Sequence, residues 1–386
     1  MTGGPLRVGL VAGEASGDTL GAGLMEALRR RRPDASFFGV AGPRMVAAGC
    51  EAWQPSERLA VMGLFEILGA LPGLLRLRRE VCARFLEARP HIFIGIDAPE
   101  FNLGLAQKLK AAGFVTAQYV SPQVWAWRQG RVAHMARAVD LVLCLLPFEQ
   151  QFYRDHNIRA DFVGHPLADQ IPLHVDRDAV RSRLGIATNT QVIAVLPGSR
   201  RGEVERLGDD FAGALRWICE RRPGIEFVAP MANAAAREIF SAALARSAPH
   251  VPVRLLDGEA QLALAAADVA LVASGTATLE ATLTGRPMVV AYRLGWLTSM
   301  LLRRFGLMKA PFFAQPNLLA GRKLVPELFG REVVPERLGA ELIGFIDDPG
   351  RVAELKRVFS RIHIDLRRGA SERAADAILA LIGERP

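Results

Sequence analysis

Short apolar runs alternate with amphipathic stretches along the whole chain, and this rhythm constrains the fold more than any other feature. The runs Leu6–Ala12, Ser36–Ala41 and Ile92–Ile96 are apolar almost throughout, and segments with helical periodicity, such as Leu20–Arg31, lie between them. Continuous apolar runs of this length are typical of parallel strands that are buried on both faces. The sequence therefore predicts βαβ units and an α/β fold.

A second series of the same kind begins after residue 190, with predicted strands at Val192–Leu196, Val269–Ala273 and three runs besides. A chain of 386 residues exceeds the size at which one core usually stops growing, about 250–300 residues. We therefore expect two Rossmann-like domains, 1–168 and 169–360, facing a central cleft, with a helical segment at 361–386. The proline-containing stretch Gly164–Asp178 is the predicted linker.

Composition excludes several classes of protein. Half of the residues are hydrophobic and the net charge is +8, yet no apolar run is long enough to span a bilayer and the N-terminus lacks the pattern of a signal peptide. The four cysteines form no CxxC pair, which fits a reducing cytoplasm rather than a disulfide scaffold or zinc site. No nucleic-acid-binding motif accompanies the positive charge, so we expect no nucleic-acid partner.

The loop after the first predicted strand carries two acids and a serine, Glu14, Ser16 and Asp18, among glycines. Its spacing differs from the dinucleotide fingerprint, and its acids would repel a pyrophosphate. Binding of sugar hydroxyls or of an acceptor fits better. The alternative is a plain turn in which Ser16 or Asp18 caps the next helix.

A second carboxylate, Asp97, ends the apolar run Ile92–Ile96. Ligands in parallel α/β sheets bind beyond the carboxyl ends of the strands, so Asp97 is a candidate general base. The alternative is a helix cap, since Pro99 follows at once. Trp125 and Trp127, just after another strand end, predict a loop that shapes a pocket, unless one of them packs in the core.

The second half carries two stretches suited to a nucleoside diphosphate. Ser199 and Arg200 follow a strand and a glycine and precede a helix, an order that favours phosphate binding over a basic surface turn. Another helix begins at Ser274, Gly275 and Thr276. Ser274 or Thr276 can cap this helix, and its N-terminus can also hold a diphosphate. Glu280, about one turn further on, can accept hydrogen bonds from ribose hydroxyls.

Metal chemistry has little support, and we expect neither a metal nor a cofactor. Asp176 and Asp178 have a D-x-D spacing that can hold Mg²⁺, but they directly precede a helical pattern, which favours N-capping. The histidines are scattered along the chain, so we predict that they have structural roles. His165, at the predicted hinge, is the exception.

One amphipathic segment with a basic end, Leu59–Arg79, suits the interface of an anionic membrane. A second, Trp296–Lys309, has the same character. The alternatives are buried helices or a homodimer interface. The predicted membrane contacts are Leu64, Phe65, Leu68, Leu71, Leu75, Arg76, Arg78 and Arg79.

Seven motifs in this order together resemble the lipid-A-disaccharide synthase family, which consists of inverting glycosyltransferases of GT-B architecture. They are Val11–Asp18, Gly95–Asn102, Tyr119–Arg128, Val163–Leu167, Leu196–Arg200, Ala273–Glu280 and Gln315–Gly321. The resemblance covers nearly the whole chain. It implies transfer of 2,3-diacylglucosamine from UDP-2,3-diacylglucosamine to 2,3-diacylglucosamine 1-phosphate (lipid X), in lipid A biosynthesis.

The resemblance also implies roles and a location. Asp97 would be the base, Arg200 would stabilise the departing UDP, and Asn317 would line the cleft. The last helix would pack back on the first domain, and the protein would lie peripherally on the inner face of the cytoplasmic membrane. Two alternatives stay open: an enzyme of the same architecture, such as a UDP-sugar 2-epimerase or a lipid-linked cell-wall transferase, and a binding protein without turnover.

Overall fold

The structure, a computed structural model, divides into two compact units. It describes residues 4–59, 64–122, 132–293 and 312–383, with only the helical backbone described for residues 64–70. Unit 1 is Met1–Asp169 together with Leu366–Pro386, and unit 2 is Gln170–Asp365. The chain therefore leaves unit 1, forms unit 2, and returns to unit 1 for its last helix.

Unit 1 is built on a seven-stranded parallel sheet in the order β3-β2-β1-β4-β5-β6-β7. Every residue of β4 and β5 is buried, as the continuous apolar runs predict. The strands are β1 (Arg7–Ala12), β2 (Ser36–Ala41), β3 (Cys50–Pro55), β4 (Ile92–Ile96), β5 (Val115–Tyr119), β6 (Leu141–Cys144) and β7 (Ala160–Phe162). The helices are α1 (Ala15–Arg31), α2 (Pro43–Ala47), α3 (Leu64–Ala88), α4 (Pro99–Ala111), α5 (Val132–Ala138), α6 (Pro147–Arg154) and α7 (Pro166–Gln170).

Unit 2 repeats the plan with a six-stranded parallel sheet in the order β10-β9-β8-β11-β12-β13. Its strands are β8 (Val192–Leu196), β9 (Glu226–Met231), β10 (Val253–Asp257), β11 (Val269–Ala273), β12 (Met288–Tyr292) and β13 (Glu327–Phe329). Its helices are α8 (Arg177–Leu184), α9 (Arg201–Arg221), α10 (Ala234–Ser247), α11 (Ala260–Ala266), α12 (Thr276–Leu283), α13 (Gln315–Ala320), α14 (Pro335–Ile346) and α15 (Pro349–Leu366). The α/β prediction is confirmed in both units.

The last helix, α16 (Ala370–Gly383), packs on α1 in unit 1. Its residues Ala374, Ala375, Ile378 and Leu381 belong to the same buried cluster as Leu24 and Leu28. At the rim, Arg31 Nε lies 2.5 Å from Asp376 Oδ1, and Glu372 pairs with Arg30 and Arg31. These contacts tie the C-terminal helix to the first helix of the chain.

The predicted linker Gly164–Asp178 is partly helical. It contains α7, which starts at Pro166, and the first residues of α8. Gly164 has φ +95°, and a Cβ there would lie 2.7 Å from the carbonyl oxygen of Leu366, so the outgoing and returning segments cross at a position that needs glycine. Asp169 accepts hydrogen bonds from the N–H groups of Gly369 and Ala370 and so caps α16.

Candidate functional site

Residues from separate sequence motifs line one cavity at the carboxyl edge of the unit 2 sheet. The cavity has a volume of about 380 Å³ and opens beyond the ends of β8 and β11. Its lining includes all six of the predicted donor-site residues of this half: Ser199, Arg200, Ser274, Gly275, Thr276 and Glu280. Parallel sheets bring strand ends together, which is why motifs about 75 residues apart in sequence share one site.

The turn after β8 is closed by hydrogen bonds within the chain, where the sequence predicted N–H groups open to a phosphate. Gly198 has φ +123°, and a Cβ there would lie 2.7 Å from Glu203 Cβ. The Glu203 carboxylate accepts hydrogen bonds from the backbone N–H groups of Ser199 (3.2 Å) and Arg200 (3.4 Å). The expectation that these N–H groups bind phosphate is therefore corrected, because the chain already supplies their acceptor. The Arg200 guanidinium is 59% exposed, 3.7 Å from Glu203, and can still bind an anion.

The N-terminus of α12 is not capped by a side chain. Gly275 is the N-cap residue, with φ +151°, a conformation that only glycine adopts without strain. The Ser274 hydroxyl donates instead to the carbonyl oxygen of Phe313, at 3.2 Å. The expectation that Ser274 or Thr276 caps this helix is therefore wrong. The positive end of the α12 dipole faces the cavity, where it favours an anion.

Glu280 lines the same cavity one turn into α12. Burial raises the pKa of its carboxyl group above the usual range. A half-buried carboxylate of this kind gains most from hydroxyl groups that donate to it.

Part of the lining was missed by the sequence analysis. Pro230 and Ala232 lie at the end of β9, and Gly258, Glu259 and Ala260 follow β10. The available signal was positional: both segments end a predicted strand, and the strand-end rule applies to neighbouring strands equally.

In unit 1, the loop after β1 lies against the turn after β4. The Ser16 hydroxyl is 3.5 Å from Asp97 Oδ2, and both side chains are at least partly exposed. A Cβ at Gly13 would lie 2.2 Å from Ala98 Cβ, so this position requires glycine for close packing rather than for approach to a ligand. Half-buried Glu14 is the N-cap residue of α1 and belongs to the same loop. Two predicted sites therefore form one.

Asp97 does not have the geometry of an ordinary helix cap. Helix α4 begins at Pro99 with Ala98 at the N-cap position, where there is no side-chain capping hydrogen bond. Asp97 and Ala98 both have positive φ, +54° and +40°. Non-glycine residues seldom adopt this conformation, and strain of this kind concentrates at functional sites.

The structure gives Asp18 a different task from the one expected. Its side chain is only 3% exposed, and its two oxygens accept hydrogen bonds from the N–H groups of Arg44 and Met45, both at 2.9 Å. Asp18 therefore caps α2, not its own helix, and both of its carboxylate oxygens already accept hydrogen bonds from the backbone. We correct its assignment as a binding residue.

Comparison with known proteins places the chain in a family. The family model for lipid-A-disaccharide synthetase matches residues 8–382. The chain belongs to this family. A lipid-A-disaccharide synthase from Pseudomonas aeruginosa (strain UCBPP-PA14) is 53% identical over 380 residues, covering 98% of this chain and 99% of the relative. One from Pectobacterium atrosepticum is 49% identical over 385 residues, the full length of both. The resemblance seen in the motifs is confirmed, and the family is one of enzymes.

Solved structures show the same architecture at low sequence identity. The calicheamicin glycosyltransferase CalG4 has a TM-score of 0.61 at 16% identity, covering 99% of this chain and 100% of its own. UDP-GlcNAc 2-epimerase from Neisseria meningitidis, bound to UDP-GlcNAc, has a TM-score of 0.66 at 12% identity, covering 97% and 100%. The predicted GT-B fold class is confirmed. Because a transferase and an epimerase share it, the fold alone does not separate their activities.

Asn317, expected to line the cleft, is instead fully buried. Its amide nitrogen donates to the carbonyl of Val325 (3.0 Å) and to Glu327 Oε1 (2.9 Å), and its oxygen accepts from the N–H groups of Leu324 and Val325. All four hydrogen-bonding positions of the amide are used. The assignment of Asn317 to substrate is corrected: it fixes the chain between α13 and β13.

The remaining polar candidates are structural where the structure describes them. Asp176 is the N-cap of α8 and accepts from the N–H groups of Asp178 and Ala179, so the capping interpretation of the D-x-D spacing is confirmed. In the described ranges, no three His, Cys, Asp or Glu side chains are grouped as a metal site would need. Burial lowers the pKa of His165 to about 4, and its backbone N–H donates to Leu366 at the crossing of the two segments.

Only part of the predicted membrane segments can be placed. Leu71 is 43% exposed on α3, Leu75 is half-buried, and Arg76 and Arg79 are exposed. Arg78 packs over Gly104 of α4, where a Cβ would clash with its guanidinium. The side chains of Leu64, Phe65 and Leu68, the segment Trp296–Lys309, and both Trp125 and Trp127 lie outside the described residues. Among the helices that are described, none has the length and apolarity needed to cross a membrane.

Proposed function

We propose that the chain transfers 2,3-diacylglucosamine from UDP-2,3-diacylglucosamine to the 6-hydroxyl of lipid X, with inversion at the anomeric carbon. The products are a β-1,6-linked disaccharide 1-phosphate and UDP. The observation that carries this proposal is the convergence of six predicted donor-site residues on one cavity in unit 2. Membership of the lipid-A-disaccharide synthase family supports the choice of donor and acceptor.

The donor fits the cavity by size and by chemistry. A volume of about 380 Å³ lies in the range of small-ligand sites. We place the diphosphate at the N-terminus of α12 beside the Arg200 guanidinium, which together supply positive charge without a metal ion. Glu280 would accept hydrogen bonds from the ribose hydroxyls, which offset the cost of its burial.

Inversion requires one displacement, and therefore one base and a stabilised leaving group. Asp97 would take the proton of the acceptor 6-hydroxyl as the oxygen bonds to the anomeric carbon. The bond from that carbon to the UDP oxygen breaks, and its electron pair leaves with UDP, whose charge Arg200 and the α12 N-terminus stabilise. Glu14 and Ser16, in the loop against Asp97, would bind acceptor or sugar hydroxyls.

The activity is tested with UDP-2,3-diacylglucosamine, lipid X and EDTA in the assay, followed by detection of disaccharide and UDP. We expect turnover in wild-type protein, and in Asp97→Asn a loss of about 10²–10⁴-fold with unchanged UDP affinity and unchanged melting temperature. Asp34→Asn, at an exposed ion pair with Arg32, is the matched control and should keep full activity. Near-normal turnover of Asp97→Asn would remove Asp97 as the base, and strict dependence on Mg²⁺ would contradict the metal-free donor site.

We further propose that α3 rests on the anionic inner face of the cytoplasmic membrane, where both acylated substrates reside. Leu71 is exposed on α3, and the exposed Arg76 and Arg79 follow it along the same helix, which supports this proposal. Replacing Leu71 and Leu75 by Ser should weaken flotation with phosphatidylglycerol vesicles. Leu86→Ser is the control, because Leu86 is 42% exposed on the same helix but outside the predicted segment. Equal flotation of the two variants would assign the segment to the core or to a dimer interface.

A further inference from the structure

Two buried amide side chains converge on the backbone of the residue that we assign as the base. Asn102 Nδ2 lies 2.7 Å from the carbonyl oxygen of Asp97, and Gln118 Nε2 lies 3.1 Å from the same oxygen. Both side chains are fully buried. Asn102 comes from α4 and Gln118 from β5, so two separate elements hold one carbonyl.

The carbonyl that they hold belongs to a strained segment. Asp97 and Ala98 are successive non-glycine residues with positive φ, a strained conformation that persists only where the surrounding structure holds it in place. Strand β5 fixes the segment from one side, because the N–H of Asp97 donates to the carbonyl of Tyr119 at 2.9 Å. The two amides fix the other side of the same residue.

While the amide nitrogens make these hydrogen bonds, the amide oxygens of the same two side chains have no donor among the described residues. Asn102 Oδ1 and Gln118 Oε1 are buried, and no donor among the described residues lies within hydrogen-bonding distance of either. The opposite orientation of each amide is excluded, because its oxygen would then face the backbone carbonyls that its nitrogen now contacts: Val11, Ile96 and Asp97 for Asn102, and Asp97, Tyr119 and Val120 for Gln118. Each amide therefore leaves one buried acceptor without a donor in the part of the chain that the structure describes, which reduces what its hydrogen bonds add to stability.

Glycine at position 95 makes this arrangement sterically feasible. A Cβ there would lie 2.7 Å from Gln118 Oε1 and 2.7 Å from Asn102 Cβ. The residues of the motif Gly95–Asn102 therefore act together. Gly95 leaves space for the two amides, and Pro99 begins α4. Asn102, one turn into α4, bonds back to the carbonyl of Asp97, which carries the carboxylate.

We propose that Asn102 and Gln118 are positioning residues, an amide clamp that sets the direction of the Asp97 carboxylate by holding its backbone carbonyl. This proposal rests on the proposed role of Asp97 as the base. The clamp acts on turnover and not on the donor, because the donor cavity is lined by residues of unit 2 alone.

The test compares Gln118→Met with Thr116→Val. Methionine keeps the length of the side chain and removes its donor, while Asn102 still holds the Asp97 carbonyl. Thr116 lies on the same face of β5, is equally buried, and bonds the carbonyl of Ala138 and Asp140, away from Asp97. We expect Gln118→Met to lower kcat about tenfold with unchanged UDP affinity and an unchanged or higher melting temperature. Thr116→Val should lower the melting temperature and keep kcat.

A second variant keeps the proposal testable if methionine disturbs folding. In Gln118→Glu the new carboxyl group can donate to the Asp97 carbonyl only while protonated, and when ionised it repels three carbonyl oxygens. Its kcat should therefore fall as pH rises, over a range where the wild-type rate rises or stays level. Asn102→Asp should behave in the same way.

The outcomes separate the clamp from the base. If Gln118→Met and Thr116→Val have the same kcat, and the Gln118→Glu profile follows the wild type, the clamp is refuted while an inactive Asp97→Asn still supports the base. If Asp97→Asn is active, the base itself is refuted. If Gln118→Met melts lower and its kcat falls only because part of the protein is unfolded at the assay temperature, Gln118 serves folding only. That outcome would also overturn the proposal.

Discussion

The contact between Gly13 and Ala98 allows a sharp test of how the two loops of unit 1 form one site. In Gly13→Ala the new Cβ would lie 2.2 Å from Ala98 Cβ. Because carbon atoms pack at about 3.5–4.0 Å, the turn must move by about 1.3 Å or more. Overpacking of this size costs about 1–3 kcal/mol of stability. A displacement of about 1 Å at a catalytic group costs about a hundredfold in rate.

The assay measures kcat, UDP affinity and melting temperature together. We expect Gly13→Ala to lose about a hundredfold in kcat, to keep its UDP affinity because the donor cavity lies in unit 2, and to melt a few degrees lower. Gly344→Ala is the control, since a Cβ at this position of α14 meets nothing within 4 Å. It should keep the kcat and UDP affinity of the wild type and melt no lower.

A compensating variant decides whether the steric argument is correct. Replacing Ala98 by Gly removes the clashing carbon, after which the nearest atoms to the new Cβ would be Ala98 Cα at 3.5 Å and its nitrogen at 3.8 Å, ordinary contacts. Glycine also suits the positive φ of this position. The double variant Gly13→Ala with Ala98→Gly should therefore recover most of the activity of Ala98→Gly alone. A double variant as inactive as Gly13→Ala would refute the reasoning.

Two further predictions concern the donor site and the tail. Burial raises the pKa of the Glu280 carboxyl group. UDP affinity should therefore decline as pH falls through that raised pKa, because the carboxylate becomes protonated and loses an acceptor for the ribose hydroxyls. Glu280→Gln should bind UDP about tenfold more weakly at pH 7, and its UDP affinity should not show this decline. Calorimetry with 2′,3′-dideoxy-UDP, which lacks the two ribose hydroxyls, corrects for titration of the phosphates. If Glu280→Gln weakens the binding of UDP and of 2′,3′-dideoxy-UDP equally, Glu280 does not contact the ribose. Asp169→Ala should destabilise unit 1 by about 0.5–2 kcal/mol through loss of the α16 cap, measured by denaturant unfolding, whereas unchanged stability would contradict that capping role.

Sequence patterns predicted the central strands well and the edge strands poorly. The runs Val192–Leu196 and Val269–Ala273 are strands with the predicted bounds, because a strand buried on both faces is apolar at every position. Three strands at sheet edges, β3, β7 and β13, were missed. They are short or carry exposed polar residues, and such edges resemble loops in composition.

For the site, the sequence predicted positions better than roles. The strand-end rule predicted Asp97, Arg200 and Glu280 without any contact information, and Arg200 and Glu280 do line the cavity of unit 2. It failed for Asp18 and Asn317, whose partners are backbone groups of other segments. It also gave no reason to consider Gln118, which lies inside a strand and meets Asp97 only through the pairing of β4 with β5. Hydrogen bonds between segments distant in sequence are not encoded in local patterns.

The return of the chain to unit 1 has a consequence for synthesis on the ribosome. All strands of both sheets are made before α16, whose residues Ala375 and Ile378 belong to the buried cluster on α1. Unit 2 ends at Asp365 and can fold while unit 1, although begun first, still lacks its last helix. The α1 face that α16 covers therefore stays open to water or to a chaperone until the final residues emerge. A chain that stops at Asp365 would lose part of the core of the unit made first.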